Sequence, residues 1–206
     1  MAVCNSCHSL NQLSWRNLVG VTHSEEEAKV LAAAFDYKDG PDDQGNYFER
    51  PGKLTDPLPK PYANDEAARA ANGGARPPDL SLITKGRVHY EDYIFALLTG
   101  YKEPPEGVSI RQGLHYNPYF TGGAISMPPP LMDDAVKYPD GTVASVSQMA
   151  KDVTTFLAWC AEPEMEERKK MGLKVMTLLS LGLAGTMYYK RFKWSGYKSR
   201  KMWYRS

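Results

Sequence analysis

The stretch Cys4-Asn5-Ser6-Cys7-His8 decides how this chain is read. Two cysteines three positions apart can reach the two vinyl groups of one haem and form thioethers. The histidine that follows then meets the iron from the same side, as its fifth ligand. A dithiol redox motif shares the cysteine spacing but has no need of the histidine. A structural zinc site needs two more donors at comparable spacing, and Cys160 is the one thiol left. The pentapeptide therefore favours covalent attachment of one haem c per chain through Cys4 and Cys7, with His8 on the iron.

A sixth ligand must come from elsewhere. His23, His89, His115 and the nine methionines have suitable donor atoms. Met149 sits in a helical pattern, and Met171, Met176 and Met187 belong to an apolar run near the C-terminus. Met127 has a different frame, Gly122-Gly123-Ala124-Ile125-Ser126-Met127-Pro128-Pro129-Pro130. Small residues before it allow close backbone approach, and the prolines after it stiffen the segment. An ordered segment loses less entropy when a weak thioether binds iron. Met127 is favoured on that ground, with Met132 as its rival. Thioether ligation raises the reduction potential relative to a second imidazole and suits electrons from a quinol pathway. The haem propionates need basic or hydrogen-bonding partners, for which Arg87 and Tyr93 are candidates; a solvated arginine and a core tyrosine are the plain alternatives.

Working outward, Leu10, Leu13 and Leu18 form a partial helical stripe. Ser24-Glu25-Glu26-Glu27 is a capping box for a helix toward Phe35. Residues 36–63, rich in Gly, Pro and Asp, predict a long surface loop. Asn64 or Asp65 opens a short helix closed by Asn72-Gly73-Gly74. Arg76 to Asp79 is extended, because a residue before proline is pushed out of the helical region. Tyr90 to Thr99 is helical, with Tyr93, Ile94, Leu97 and Leu98 on one face and Gly100 at its end. The proline-rich residues 101–143 are irregular. Ser145 or Ser147 starts a helix to Cys160 that buries Val153, Phe156, Leu157 and Cys160, and Pro163 suits the first turn of a long final helix. The expected fold is mainly α: a c-type cytochrome haem domain with long irregular loops, plus one C-terminal transmembrane helix.

That last element is read from charge and hydropathy. All 24 Asp and Glu lie within residues 1–167 beside 14 of the 25 Lys and Arg, a net −10; the last 39 residues hold the other 11 basic residues and no acid, a net +11. Between them Met171 to Tyr189 has a single charge, Lys174, over nineteen residues. As a helix it covers roughly 28 Å, enough for the hydrocarbon core if Lys174 snorkels. Tyr188, Tyr189, Trp194 and Tyr197 form an aromatic belt. Lys190, Arg191, Lys193, Lys198, Arg200, Lys201 and Arg205 crowd one flank, which places the C-terminus on the negative side of the membrane. The division that follows is a haem domain over residues 1–162, an anchor over 163–193 and a basic tail over 194–206. No signal or transit peptide is visible before the pentapeptide. Two acidic clusters stand out: Asp36, Asp39, Asp42 and Asp43 in the first loop, and Glu162, Glu164, Glu166 and Glu167 before the anchor.

With these residues in view, the chain resembles the cytochrome c1 family, the c-type haem subunit of ubiquinol–cytochrome c reductase (respiratory complex III). The similarity runs through Cys4–His8, Trp15-Arg16-Asn17-Leu18-Val19-Gly20-Val21 and Pro77-Pro78-Asp79-Leu80-Ser81. It continues through Glu91-Asp92-Tyr93-Ile94-Phe95, Leu98-Thr99-Gly100-Tyr101 and Asn117-Pro118-Tyr119-Phe120. Ser147 to Val153, Ala161-Glu162-Pro163-Glu164, Lys193-Trp194-Ser195 and Lys198-Ser199-Arg200-Lys201 complete it. The resemblance implies haem at Cys4 and Cys7, ligation by His8 and Met127, and propionate contacts near Arg87 and Tyr93. It implies electrons arriving from the Rieske iron–sulfur protein and leaving to soluble cytochrome c, beside cytochrome b and the other subunits of complex III. The setting it implies is the mitochondrial inner membrane, with the haem domain in the intermembrane space and the C-terminus in the matrix; the bacterial equivalent is a plasma membrane with a periplasmic haem domain. Members of the family normally carry a presequence and a structured segment ahead of the haem motif, where this sequence has three residues.

Another membrane-anchored c-type cytochrome, photosynthetic or oxidase-linked, would share the haem and differ in partners. A haem enzyme with an open iron position and a zinc-binding membrane subunit are the readings from other classes. No catalytic triad, phosphate loop or carboxylate pair stands out, so an enzyme label can belong only to a whole complex. Nucleic acid is not expected as a partner.

Overall fold

The local signals at helix ends translate directly into hydrogen bonds in the structure, a computed structural model that describes residues 3–203. Ser24 caps α1 (Glu25–Ala33): its hydroxyl accepts from the Glu27 amide, and the Glu27 carboxylate accepts from the Ser24 amide at 2.8 Å. Bonds from the Ser24 amide and hydroxyl hold the Glu27 carboxyl below the usual carboxylate range. Asn64 caps α2 (Asp65–Ala71) by accepting from the Ala67 amide at 2.8 Å. Ser145 caps α4 (Val146–Ala161), and the Asp133 carboxylate accepts from the Val146 amide beside it. Each such bond satisfies one of the amides that a helix start leaves without a partner.

Residues 1–162 form one compact unit. Helix α3 (Tyr90–Thr99) packs on α4, and their contact carries the main core: Leu10, Leu13, Leu80, Ile83, Ile94, Leu157 and Cys160, with Cys4, Tyr93, Leu98, Val153 and Phe156 packed around it. Leu10, Leu13 and Leu18 are all buried, but not on an α-helix: Leu10 and Leu13 lie in irregular chain and Leu18 in a 3-10 turn (Trp15–Leu18). A smaller core joins Trp15, Leu18 and Ala32, with the Trp15 and Phe35 rings 5.6 Å apart. Burial pushes the Cys160 thiol up to about 12, so it acts as a small apolar residue.

The first long loop is more ordered than its composition suggests. Strands β1 (Asp36–Asp39) and β2 (Phe48–Pro51) pair antiparallel, with Tyr37 opposite Arg50 and Asp39 opposite Phe48. This hairpin has no apolar alternation to announce it, because Arg50 fastens it. The guanidinium bonds Asp39 across the hairpin and grips both oxygens of Asp56, at 2.7 and 3.0 Å. Trp15 adds a second fastening: its indole donates to the Tyr37 hydroxyl at 3.0 Å, which in turn donates to the Pro57 carbonyl at 2.6 Å. Within the proline-rich region lies one further two-residue ribbon, β3 (His115–Tyr116) with β4 (Ala124–Ile125).

Residues 163–206 form the second unit. Its helix α5 (Met165–Lys198) has 34 residues, roughly 51 Å at about 1.5 Å each. It is long and apolar enough to cross a membrane, and Leu173, Val175, Leu178, Leu179, Leu181 and Leu183 all stand exposed. The helix begins after a cap at Glu164, so Pro163 precedes it instead of occupying its first turn. Proline pushes Glu162 to φ −146°, ψ 62°, which ends α4 there. Glu166 and Glu167 fall in the first turn, where acids complement the helix dipole, whereas Glu162 pairs with Lys85 at 2.8 Å. Of the basic flank, Arg205 lies outside the described residues.

Candidate functional site

Cys4 to Ser6 form a 3-10 turn, and the amides of Cys7 and His8 both return to the Cys4 carbonyl, at 3.2 and 2.9 Å. That turn brings the two cysteines and the histidine together on one short loop. Both thiols are free and half-buried, Cys4 against the main core, where burial pushes its thiol up.

His8 is the most constrained of the three. Its Nδ1 lies 2.7 Å from the carbonyl oxygen of Pro78. A carbonyl can only accept, so Nδ1 carries the proton and the Nε2 lone pair stays available. A backbone carbonyl on Nδ1 is what orients a metal-ligating imidazole. Pro78 is held in turn by Asp79, whose carboxylate accepts from the Ser9 hydroxyl and the Asn11 amide at 2.8 Å and from the Ser81 amide at 2.9 Å. Partial burial pushes the Asp79 carboxyl up, but the bonds from Asn11, Ser81 and Ser9 outweigh it and leave the group below its usual range. The Leu80 amide donates to the Ser9 carbonyl at 2.9 Å. The segment Pro78–Ser81 thus clasps the chain just after His8.

Tyr93 packs on the same core as Cys4, from α3. Two residues past the helix, Tyr101 is buried enough to push its hydroxyl up to about 12, and nearby Tyr93 adds to the shift. The phenol therefore keeps its proton and donates it to the Met127 carbonyl at 3.1 Å. Met127 is half-buried; Met132 is 69% exposed. Tyr93 on α3 thus neighbours Tyr101 just past its end, and Tyr101 in turn holds Met127. Arg87 is exposed just ahead of α3, its guanidinium donating to the neighbouring Gly86 carbonyl at 2.9 Å.

The other candidate ligands scatter. His23 meets the Thr22 hydroxyl at 2.8 Å beside α1, and His89 is exposed at the start of α3 with φ 65°. His115 sits in β3 opposite Ile125 and lines a cleft of about 330 Å³ with Tyr101, Leu114, Tyr116 and Pro129. Among the described residues no three His, Cys, Asp or Glu converge as a metal cage, so the donors for structural zinc are not assembled. A covalently held haem would ask less: two thiols on one turn for its vinyl groups, an imidazole with Nε2 available and one soft sulfur. The residues present fit that requirement. Pro78, Asp79 and Tyr101 act through hydrogen bonds to residues far along the chain, which is why their roles emerge only in three dimensions.

A family model for the cytochrome C1 family matches residues 1–197. The chain belongs to the cytochrome c1 family. It is 62% identical to cytochrome c1 2, heme protein, mitochondrial, of Arabidopsis thaliana, over 97% of this chain and 65% of that protein. The cytochrome c1 heme protein of Saccharomyces cerevisiae is 58% identical, over 97% of this chain and 65% of the relative. The Candida albicans cytochrome b-c1 complex catalytic subunit, mitochondrial, is also 58% identical, over 97% and 69%. The chain thus spans somewhat less than two thirds of the length of the Arabidopsis and yeast cytochrome c1 proteins. The matched range, residues 1–197, contains the pentapeptide, the Pro78–Ser81 segment, Tyr101, Met127 and most of α5.

Proposed function

We propose that this chain is the electron-transfer haem subunit of a ubiquinol–cytochrome c reductase. It carries one haem c through thioethers from Cys4 and Cys7, with His8 and Met127 on the iron and the propionates near Arg87 and Tyr93. The observation that carries the reading is the pairing of His8 Nδ1 with the Pro78 carbonyl inside the Cys4–His8 turn. It presents Nε2 as a ligand and fixes the ring that bears it. When bound, the haem supplies one-electron exchange between ferrous and ferric iron.

The protein's own residues hold that exchange in place. Cys4 and Cys7 fix the group to the chain, and Asp79 and Pro78 keep the imidazole from turning. The thioether of Met127 favours the reduced state. The chain takes its electron from the Rieske iron–sulfur protein and gives it to soluble cytochrome c, in company with cytochrome b and the other complex III subunits, and has no catalytic role alone. Residues 163–193 span the mitochondrial inner membrane once and 194–206 are a basic tail in the matrix, with residues 1–162 in the intermembrane space. The basic and aromatic flank after Tyr189 supports that orientation. The names of the mitochondrial relatives and of the Candida b-c1 subunit support the compartment and the assembly.

A pyridine haemochrome spectrum taken after acid–acetone extraction tests the core of this reading. The expected result is haem that stays with the protein and gives the band position of two thioethers. Haem that extracts freely overturns it.

A further inference from the structure

The segment that carries Met127 has few anchors of its own. Residues 117–127 consist of turns and the two-residue strand β4, and their side chains bury little apolar area beyond Ile125. Beyond the pairing of β4 with β3, the segment is held by the C-terminal end of α3 and the two residues after it, at three points. Asn117, fully buried, donates from Nδ2 to the Leu97 carbonyl at 2.7 Å and accepts from the Tyr119 amide at 3.1 Å. The Tyr119 ring lies so close to Gly100 that a Cβ there would stand 2.4 Å from it. Tyr101, the next residue, donates its hydroxyl to the Met127 carbonyl at 3.1 Å. The first two points fix the start of the loop. The Tyr101 hydroxyl is the one that reaches the methionine itself.

We infer that Tyr101 is a positioning residue for Met127, tethering its backbone to α3 so that the thioether stays where it can bind iron. The inference rests on Met127 being the sixth ligand. A thioether bond to iron is weak and competes with external ligands. Its persistence depends on how little the backbone behind it must be ordered on binding. The Pro128-Pro129-Pro130 run stiffens the chain after Met127, but stiffness alone does not say where the sulfur points. The Tyr101 bond adds a fixed position for the backbone that carries the sulfur, because it links Met127 to the residue pair that follows α3.

The test uses the full haem-loaded chain and three variants, Tyr101→Phe, Met127→Leu and Tyr138→Phe. Tyr138→Phe removes a hydroxyl bond outside residues 117–127, to Asp152 at 2.5 Å, with no bond to Met127. Two readouts are taken on ferric protein: the far-red sulfur-to-iron charge-transfer band and the equilibrium affinity for cyanide. Met127→Leu should abolish the band. Tyr101→Phe should keep most of it and raise cyanide affinity about 2- to 10-fold, the change that corresponds to one lost hydrogen bond. Tyr138→Phe should leave cyanide affinity as in the parent. If Tyr101→Phe matches the parent while Met127→Leu loses the band, the positioning role is wrong and the ligand assignment stands. If Tyr138→Phe raises cyanide affinity as much as Tyr101→Phe, the effect is general loosening and the inference fails. A band that survives Met127→Leu overturns the ligand assignment and the inference with it.

Discussion

His8 Nδ1 and the Pro78 carbonyl oxygen stand 2.7 Å apart, joined across 70 residues of chain. Because proline has no amide proton, Pro78 can take part in backbone hydrogen bonding only as an acceptor, and here its carbonyl accepts from an imidazole. Asp79, the next residue, makes this possible by gathering Ser9, Asn11 and Ser81 around one carboxylate.

Asp79→Ala should therefore loosen the imidazole as well as the fold. Three donors would lose their acceptor at a half-buried site, a cost on the order of 1–3 kcal/mol. Urea unfolding of the haem-loaded chain measures that loss. Potentiometry on the same samples should show a shifted midpoint, because the Pro78 carbonyl no longer meets Nδ1 squarely. An unchanged potential beside a lowered unfolding midpoint would confine Asp79 to stability.

Met127→Leu should lower the midpoint potential and open the reduced iron to carbon monoxide, while Met132→Leu should do neither. Met132 is largely exposed, whereas Met127 is half-buried and bonded through its carbonyl. Carbon monoxide titration of the two variants, followed in the Soret band, decides between them. A larger response from Met132→Leu would reverse the assignment.

Stability should fall in acid through Asp56. The hydrogen bond from Arg50 holds its carboxyl at about 2, below the ordinary 3.8. A carboxyl depressed on folding stabilises the fold fully above its ordinary range, and that contribution is lost as pH falls through 3.8 toward about 2. Asp39 shifts the same way, again led by Arg50. Urea midpoints measured from neutral pH into acid should drop steeply for the parent. Asp56→Asn should start lower and decline less over the same window.

The acidic hairpin should contribute to steering a basic partner, through fewer residues than its composition suggests. Asp39 is committed to Arg50, and Asp42 accepts from the Gln44 and Asn46 amides in the turn. Asp36 and Asp43 are exposed and are the better candidates for a docking field. Steering by such fields raises association about 10- to 1000-fold at low salt and is screened beyond about 8 Å in physiological buffer. Stopped-flow oxidation by cytochrome c should slow with ionic strength, and the Asp36→Asn/Asp43→Asn variant should show a shallower slope with an unchanged haem spectrum. Equal slopes would place the docking charge elsewhere.

Much of this protein is legible along the chain because its signals are short-range. The caps at Ser24, Asn64 and Ser145 each close within three residues, the attachment motif within five, and α5 declares itself by a long uncharged run. The hairpin at Asp36–Pro51 was not legible, since its strands are polar and its fastener, Arg50, is identified only by the carboxylates it meets. Nor were Pro78, Asp79, Tyr101 and Asn117 legible as parts of the site. Their partners lie 70, 68, 26 and 20 residues away, and a hydrogen bond across such a span leaves no periodic trace in sequence. The sequence by itself determined which side chains have the chemistry to hold an iron and which segment can meet a lipid. Only the tertiary structure decided which backbone oxygen orients His8 and which hydroxyl tethers Met127, because those choices depend on how α3 and the Pro78–Ser81 segment pack around one core.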